Sequence, residues 1–286
     1  MSRILQILLI GLFAPLLQGV LAHLRARLQG RPGPSVWQPY RDLRKLWFKE
    51  AIVSRRSTLI LIAPGVAIGV AVTFVAFVPS LISPDAASWR IDAVALALLL
   101  ALGRFVMVLA ALDTRSAFEG MAAGREIAFA SLTEAPLILA LLGIAFLGDG
   151  SLAADPAGIW TDALAAGALL LVMLYETARI PVDNQETHYE LTMIHEGLNL
   201  EYSGWQLASL HYAAYLRQAG FFVLAALLMP GTGAATIAWM AAAVVFMVLT
   251  ETAYAKLRLF EVPQLFASAL ILALASIGLR IVDFVR

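Results

Sequence analysis

Residues 93–112 read Ala-Val-Ala-Leu-Ala-Leu-Leu-Leu-Ala-Leu-Gly-Arg-Phe-Val-Met-Val-Leu-Ala-Ala-Leu, with a single charge, Arg104. A bilayer core about 30 Å thick is crossed by about 20 apolar helical residues, because a backbone in hydrocarbon has only itself to bond to. Length and apolarity therefore predict a membrane-spanning helix over 92–112. Working outward, the same test marks stretches near 4–22, 57–79, 128–148, 159–178, 207–229, 234–254 and 264–284. The stretch at 207–229 is the least regular, since His211, Tyr212, Tyr215, Arg217 and Gln218 interrupt its first half. The expected fold is all-α: one integral membrane domain over 1–286 with about eight transmembrane helices.

Composition agrees. The chain is 61% hydrophobic and 14% charged, against about 45–50% and about 25% in soluble domains. Lys and Arg number 20, as do Asp and Glu, so there is no basic excess of the kind that neutralises nucleic-acid phosphates. Cysteine is absent, which excludes disulfides, thiolate metal sites and a cysteine nucleophile on this chain. Any redox metal nearby is expected in a partner subunit.

Orientation follows from the basic residues, because short loops rich in Lys and Arg stay cytoplasmic. Segment 23–56 carries nine: Arg25, Arg27, Arg31, Arg41, Arg44, Lys45, Lys49, Arg55 and Arg56. Arg115, Arg125, Arg179, Lys256 and Arg258 fall on the same side, and Arg3, Arg90 and Arg286 on the other. Loops one, three, five and seven are thus expected in the cytoplasm and both termini outside. Val20-Leu21-Ala22 has the form of a signal-cleavage site, but the basic cluster follows the apolar run instead of preceding it, so the first span is read as retained. Within loop one, Tyr40, Leu43, Leu46 and Trp47 share one helical face and Arg41, Arg44, Lys45 and Lys49 the other. That pattern predicts an amphipathic helix over 40–50 lying on the membrane surface, attracted to anionic headgroups or rimming a lateral opening.

Arg104, Glu134, Glu176, Arg217 and Glu251 fall in or at the ends of spans, where a charge costs roughly 2.5–3.5 kcal/mol and must face the bundle interior. Two readings follow. One is a buried ion pair of Arg104 or Arg217 with Glu134 or Glu251. The other is a proton path through the same carboxylates, since low dielectric favours their protonated form.

The richest segment is loop five, 176–206, with the six carboxylates Glu176, Asp183, Glu186, Glu190, Glu196 and Glu201 and two of the four histidines, His188 and His195. Arg179 lies three residues from Glu176, the spacing of a helical pair. Asp183 and Glu186 after Pro181 have the form of a capping box. Leu191, Ile194 and Leu198 make an apolar stripe, with His188, Thr192, His195 and Asn199 on a polar face. Two histidines seven apart supply no third metal ligand, and no nucleophile elbow is present.

At this point the chain resembles a known family. Glu176-x-x-Arg179-x-Pro181-x-Asp183 followed by Asn199-Leu-Glu201-Tyr-Ser203 resembles the membrane subunit that encloses the quinone chamber of respiratory complex I. Thr187-His-Tyr-Glu-Leu-Thr-Met-Ile-His-Glu196 is closer to its counterpart in group 4 membrane-bound [NiFe] hydrogenases, the group of formate hydrogenlyase and hydrogenase-4. The likeness continues at Arg31-x-Gly33-Pro34, Gln38-Pro39-Tyr40, Leu112-Asp113-Thr114, Gly120-Met121, Arg125-Glu126 and Glu134. The chain departs from the hydrogenase pattern at Gln185 and Glu186, and at Arg115 and Glu119.

The resemblance implies a membrane subunit on which [NiFe]-hydrogenase-like large and small subunits and an iron–sulfur protein dock, beside antiporter-like membrane subunits. The [NiFe] centre and iron–sulfur clusters would belong to those partners and no cofactor to this chain, with quinone a possible ligand. Localisation would be the cytoplasmic membrane of a bacterium or archaeon. Glu134 and Glu176, with Glu119 and Glu126, would carry protons. Arg31, Arg125, Arg179, Asp183, Glu186, His188, Glu190, His195, Glu196 and Glu201 would line the cytoplasmic interface or chamber. Arg104 and Arg217 would be buried charge partners. Two other functions fit the same span count: the quinone-chamber subunit of an NADH:quinone oxidoreductase, and a stand-alone secondary transporter.

Overall fold

The computed structural model describes residues 3–52, 57–78, 86–147, 159–184, 194–229 and 233–285. Among these the chain forms α1 (Arg3–Leu28), α2 (Gln38–Trp47), α3 (Leu59–Phe77), α4 (Ala86–Asp113), α5 (Ala117–Leu147), α6 (Ile159–Glu176), a 3-10 turn (Glu196–Asn199), α7 (Gly204–Leu227), α8 (Ala234–Ala253) and α9 (Val262–Val285). Seven of them, α1, α3, α4, α5, α6, α8 and α9, are long and apolar enough to cross a membrane. The protein is a polytopic helical membrane protein.

The helix at the irregular sixth stretch, α7, falls outside that set. Its polar side chains lower its apolarity, and packing explains how it tolerates them: 17 of its 24 residues are buried, against α1, α2, α3, α6 and α8. A helix screened by neighbours on most sides can carry Gln206, Ser209 and Gln218 because protein, not lipid, surrounds them. Gly220 permits the closest approach, since a Cβ there would lie 2.5 Å from Cε1 of Phe74 on α3. Phe74 then packs on Phe221 with ring centroids 5.0 Å apart. The outer helices behave oppositely, leaving Leu98, Phe105, Ile237 and Ile271 more than half exposed. Such an apolar surface is a liability in water and the expected one in a bilayer.

Two expectations change. Loop three was expected to run to residue 127, but α5 begins at Ala117 and only Thr114–Ser116 separate it from α4. Arg125 and Glu126 are therefore helical, and α5 carries Glu119, Glu126 and Glu134 at steps of seven and eight along one side. In loop five, residues 194–199 form a bend and the 3-10 turn instead of continuing an α-helical face. Ile194 and Leu198 of the expected apolar stripe are buried, and its third member, Leu191, lies outside the described residues.

The amphipathic helix of loop one is present as α2, with none of its residues buried. Residues 50–52 clasp the start of α7: Ile52 N–H donates to Ser203 Oγ at 2.7 Å. There Gly204 adopts φ +56°, with Lys49 O at 2.6 Å from where a Cβ would sit. Only glycine meets both demands without strain.

Candidate functional site: a charged chamber inside the bundle

The centre is Arg104, 5% exposed and in the middle of the span that α4 provides. Its guanidinium is a fork of donors suited to two carboxylates. Nη2 pairs with Glu134 Oε1 at 3.0 Å, and Nη1 pairs with Glu176 Oε1 at the last residue of α6. The expected ion pair thus exists for Arg104 and Glu134, with Glu176 as a second acceptor. The side chain of Glu176 is fully buried, whereas that of Glu134 is 41% exposed. The network therefore runs from the bundle interior to its surface.

Arg104 and Glu176 border an internal cavity of about 60 Å³, shared with Glu126 from α5, His195 and Glu196 around the 3-10 turn, and His211 and Arg217 from α7. That volume admits a few waters. His195 Nε2 lies 3.5 Å from Glu126 Oε1. Both carboxylate oxygens of Glu126, Oε2 of Glu176, both ring nitrogens of His195 and Nε of Arg217 are buried without a hydrogen bond among the described residues. Burying such groups unsatisfied costs about 1–3 kcal/mol each, more for charged ones, so bridging water is their natural partner. Tyr175 organises this wall: its hydroxyl donates to the Glu126 carbonyl at 3.2 Å, and its ring meets His195 edge-on at 4.7 Å.

Arg217 was expected as an alternative partner for Glu134 or Glu251, but no carboxylate pairs with it among the described residues; its charge faces the chamber instead. The expected pairing of Arg179 with Glu176 is likewise replaced. The helix ends at Glu176, Ala178 takes φ +52°, and the two side chains diverge. Arg179 Nη1 reaches Glu251 Oε1 at 3.2 Å and Nη2 reaches Gln218 Oε1 at 3.1 Å and Gln18. Arg25 lies 3.7 Å from Glu251 Oε2. A second buried network thus joins α1, α7 and α8 through the residues that follow Glu176.

Asp183 is fully buried; Glu186, the other half of the expected capping box, lies outside the described residues. Oδ2 of Asp183 accepts the N–H groups of Ile194 at 2.9 Å and His195 at 3.2 Å. Its Oδ1 pairs with Lys256 Nζ at 2.8 Å. The carboxylate closes the base of loop five, holding His195 where it meets Glu126. Glu119 plays a similar part elsewhere: Oε1 accepts the Glu201 N–H at 3.0 Å and Oε2 accepts from Thr114 Oγ1. This ties α5 to the loop before α7 and does not reach the chamber. Neighbouring Tyr202 is buried, which pushes its phenol above the usual value, and Glu119 adds to the shift.

Of the other expected site residues, Arg31 is exposed and donates to Gln29 at 2.8 Å. Arg125 lines a separate surface pocket with Lys256 and Arg258. Glu186, His188 and Glu190 lie outside the described residues. Sequence reasoning did not assign His211, Lys256, Gln18 or Gln218 to the site. His211, Ala214 and Arg217 repeat at steps of three along α7, a legible signal of one shared face. Lys256 and Gln18 carried none.

The fold and site together define a class: a multi-helix membrane protein whose interior holds an ion-paired, water-sized chamber connected to its surface. The chain belongs to the NADH dehydrogenase family, whose model matches residues 2–281. It is 33% identical to hydrogenase-4 component C of Escherichia coli over 222 residues, 74% of this chain and 70% of that protein. It is 30% identical to formate hydrogenlyase subunit 4 of the same organism over 226 residues, 75% and 72% of the two chains. A chain of the membrane-bound sulfane sulfur reductase, an archaeal respiratory membrane complex, shares the fold with a TM-score of 0.75 at 18% identity, covering 98% of this chain and 100% of that one.

Proposed function

We propose that this chain is the membrane-anchoring and proton-coupling subunit of an energy-converting, [NiFe]-hydrogenase-type complex of the formate hydrogenlyase kind. The observation that carries the reading is the Arg104 network, which links a buried carboxylate, Glu176, to a half-exposed one, Glu134. A carboxylate at a lipid-facing surface is costly, so the surface at Glu134 is where an antiporter-like membrane subunit would cover it. The likeness to hydrogenase-4 component C and formate hydrogenlyase subunit 4 favours the hydrogenase branch.

In this reading the hydrogenase large and small subunits and an iron–sulfur protein dock over loops one and five on the cytoplasmic side, with both termini outside a bacterial or archaeal cytoplasmic membrane. The [NiFe] centre and clusters reside in those partners. A redox change there alters the hold of Asp183 and Lys256 on the base of loop five, moving His195 relative to Glu126. The chamber waters carry the proton from His195 and Glu126 to Glu176, and Arg104 relays the change in charge to Glu134. Arg217 keeps the chamber from accumulating net negative charge.

The test is Glu134→Gln and Glu176→Gln in the assembled complex in inverted vesicles. Assembly and dye-linked hydrogen turnover should persist, while proton movement per turnover falls by roughly 100-fold if transfer through either group is obligatory. Full coupling in both variants would refute the path.

A further inference from the structure

Away from the chamber, loop seven and the base of loop five border a pocket of about 290 Å³, at the lower edge of the roughly 300–1,000 Å³ of ordinary ligand pockets. Arg125, Lys256 and Arg258 all line it, so three cations meet around one small space. The acids nearby answer only part of that charge. Asp183 pairs with Lys256 at 2.8 Å from the loop-five side. Glu261, three residues beyond Arg258, accepts the Arg258 backbone N–H through Oε2 at 3.3 Å. The side chain of Arg258 is exposed and forms no ion pair among the described residues. Like charges gathered in this way repel one another, and an arriving carboxylate relieves the repulsion.

The rest of the lining decides what carries that carboxylate. Between the cations stand Val182, Leu257 and Leu259. A free inorganic anion loses water against such walls and gains nothing from them, whereas an acidic side chain on a folded partner brings methylenes and apolar neighbours that fit. Val182 and residues 256–259 belong to connections between helices, not to spans, so the pocket faces the cytoplasmic side that the basic residues mark. On the same loop, Phe260 is 91% and Tyr254 60% exposed, both outside the spans. Aromatic side chains and arginine are the residues enriched where proteins meet. Loop seven is also fixed in place, since Leu257 N–H donates to the Pro181 carbonyl at 2.9 Å and Lys256 holds Asp183. Given that soluble subunits dock on the cytoplasmic face as proposed above, we infer that this pocket is the socket for an acidic side chain of one of them, its carboxylate taken by Arg258 beside Arg125.

The test uses the assembled complex in its membranes, with Arg258→Lys to place an amine at the socket and Arg258→Glu to reverse its charge. A carbodiimide joins an amine to a carboxylate in contact with it and adds no spacer. In the Arg258→Lys complex it should link position 258 to an aspartate or glutamate of a soluble subunit, which peptide mass spectrometry identifies. Soluble subunits washed off by high salt and added back should bind Arg258→Glu membranes roughly tenfold more weakly than wild-type membranes, because like charges then face each other. Arg258→Lys, which keeps the charge, should restore most of the binding. Absence of any link through position 258, a link only to Asp183 or Glu261 of the same chain, or wild-type binding by Arg258→Glu overturns the socket while leaving docking intact. Failure of the soluble subunits to rebind wild-type membranes overturns the docking reading, and the socket with it.

Discussion

Replacing Arg104 by Met tests whether the chamber is held by the ion pair or only by apolar packing around it. The side chain is 4% exposed and serves Glu176, whose side chain is fully buried, and Glu134, which is 41% exposed. Removing one partner of a buried pair typically costs about 3–5 kcal/mol, because the other charge is stranded. Here the loss concentrates on Glu176, whose side chain is fully buried, whereas that of Glu134 is already 41% exposed. Arg104→Met should therefore lower unfolding free energy by about 3–4 kcal/mol. Glu176→Gln alone should cost about 1–2 kcal/mol, because Arg104 keeps Glu134 as a partner. In the double variant the stranded carboxylate is gone, so its loss should fall short of the sum of the two single losses by roughly 2 kcal/mol. Reversible unfolding of the purified full chain in mixed micelles, titrated with dodecyl sulfate, reads all four free energies of the cycle. A coupling below about 0.5 kcal/mol would refute the reasoning, since sites without shared partners add within about that margin.

Two further outcomes follow from the loops. Asp183→Asn removes the charge facing Lys256 at 2.8 Å and weakens the acceptor for the Ile194 and His195 amides. Those two amides should then exchange hydrogen faster while α7 amides keep their protection, which exchange mass spectrometry resolves; unchanged exchange would show that loop five does not depend on this carboxylate. The second concerns pH. Burial raises the Tyr202 phenol above its usual 10.0, and its hydroxyl has no hydrogen-bond partner among the described residues. A group whose folded-state value is raised stabilises fully below the unfolded value and loses that contribution as pH climbs past it, so the protein should lose stability above about pH 10. Tyr202→Phe should flatten that alkaline loss and leave neutral-pH stability within about 1 kcal/mol, since no bond is removed; an unchanged alkaline slope would contradict the assignment.

The spans were legible because each needs only a count of apolar residues against the thickness of the bilayer. The difficult one, α7, fails that count for a physical reason: a helix wrapped by protein need not be apolar all round. The amphipathic helix of loop one was readable from its two faces. The start of α5 was not, because Glu119, Arg125 and Glu126 resemble loop residues when counted as charges. Their seven- and eight-residue spacing with Glu134 gains meaning only once the segment is known to be helical. The candidate charges Arg104, Glu134 and Glu176 were visible as costs within spans, but their pairing was not.

Sequence alone determined that the chain lives in a membrane, that its charges are sorted between loops and spans, and that loop five carries the family's motif. These are one-dimensional properties, set by how many apolar residues run together and which residues stand at fixed spacing. Tertiary structure alone decided who pairs with whom. Arg104 takes Glu134 and Glu176, Arg179 turns away to Glu251, Arg217 faces the chamber without a carboxylate partner among the described residues, and Asp183 closes a loop with Lys256. Those choices depend on helix packing and on the break after Glu176. A buried charge selects whichever partner the packed helices bring within a few ångströms, and spacing along the chain does not encode that distance.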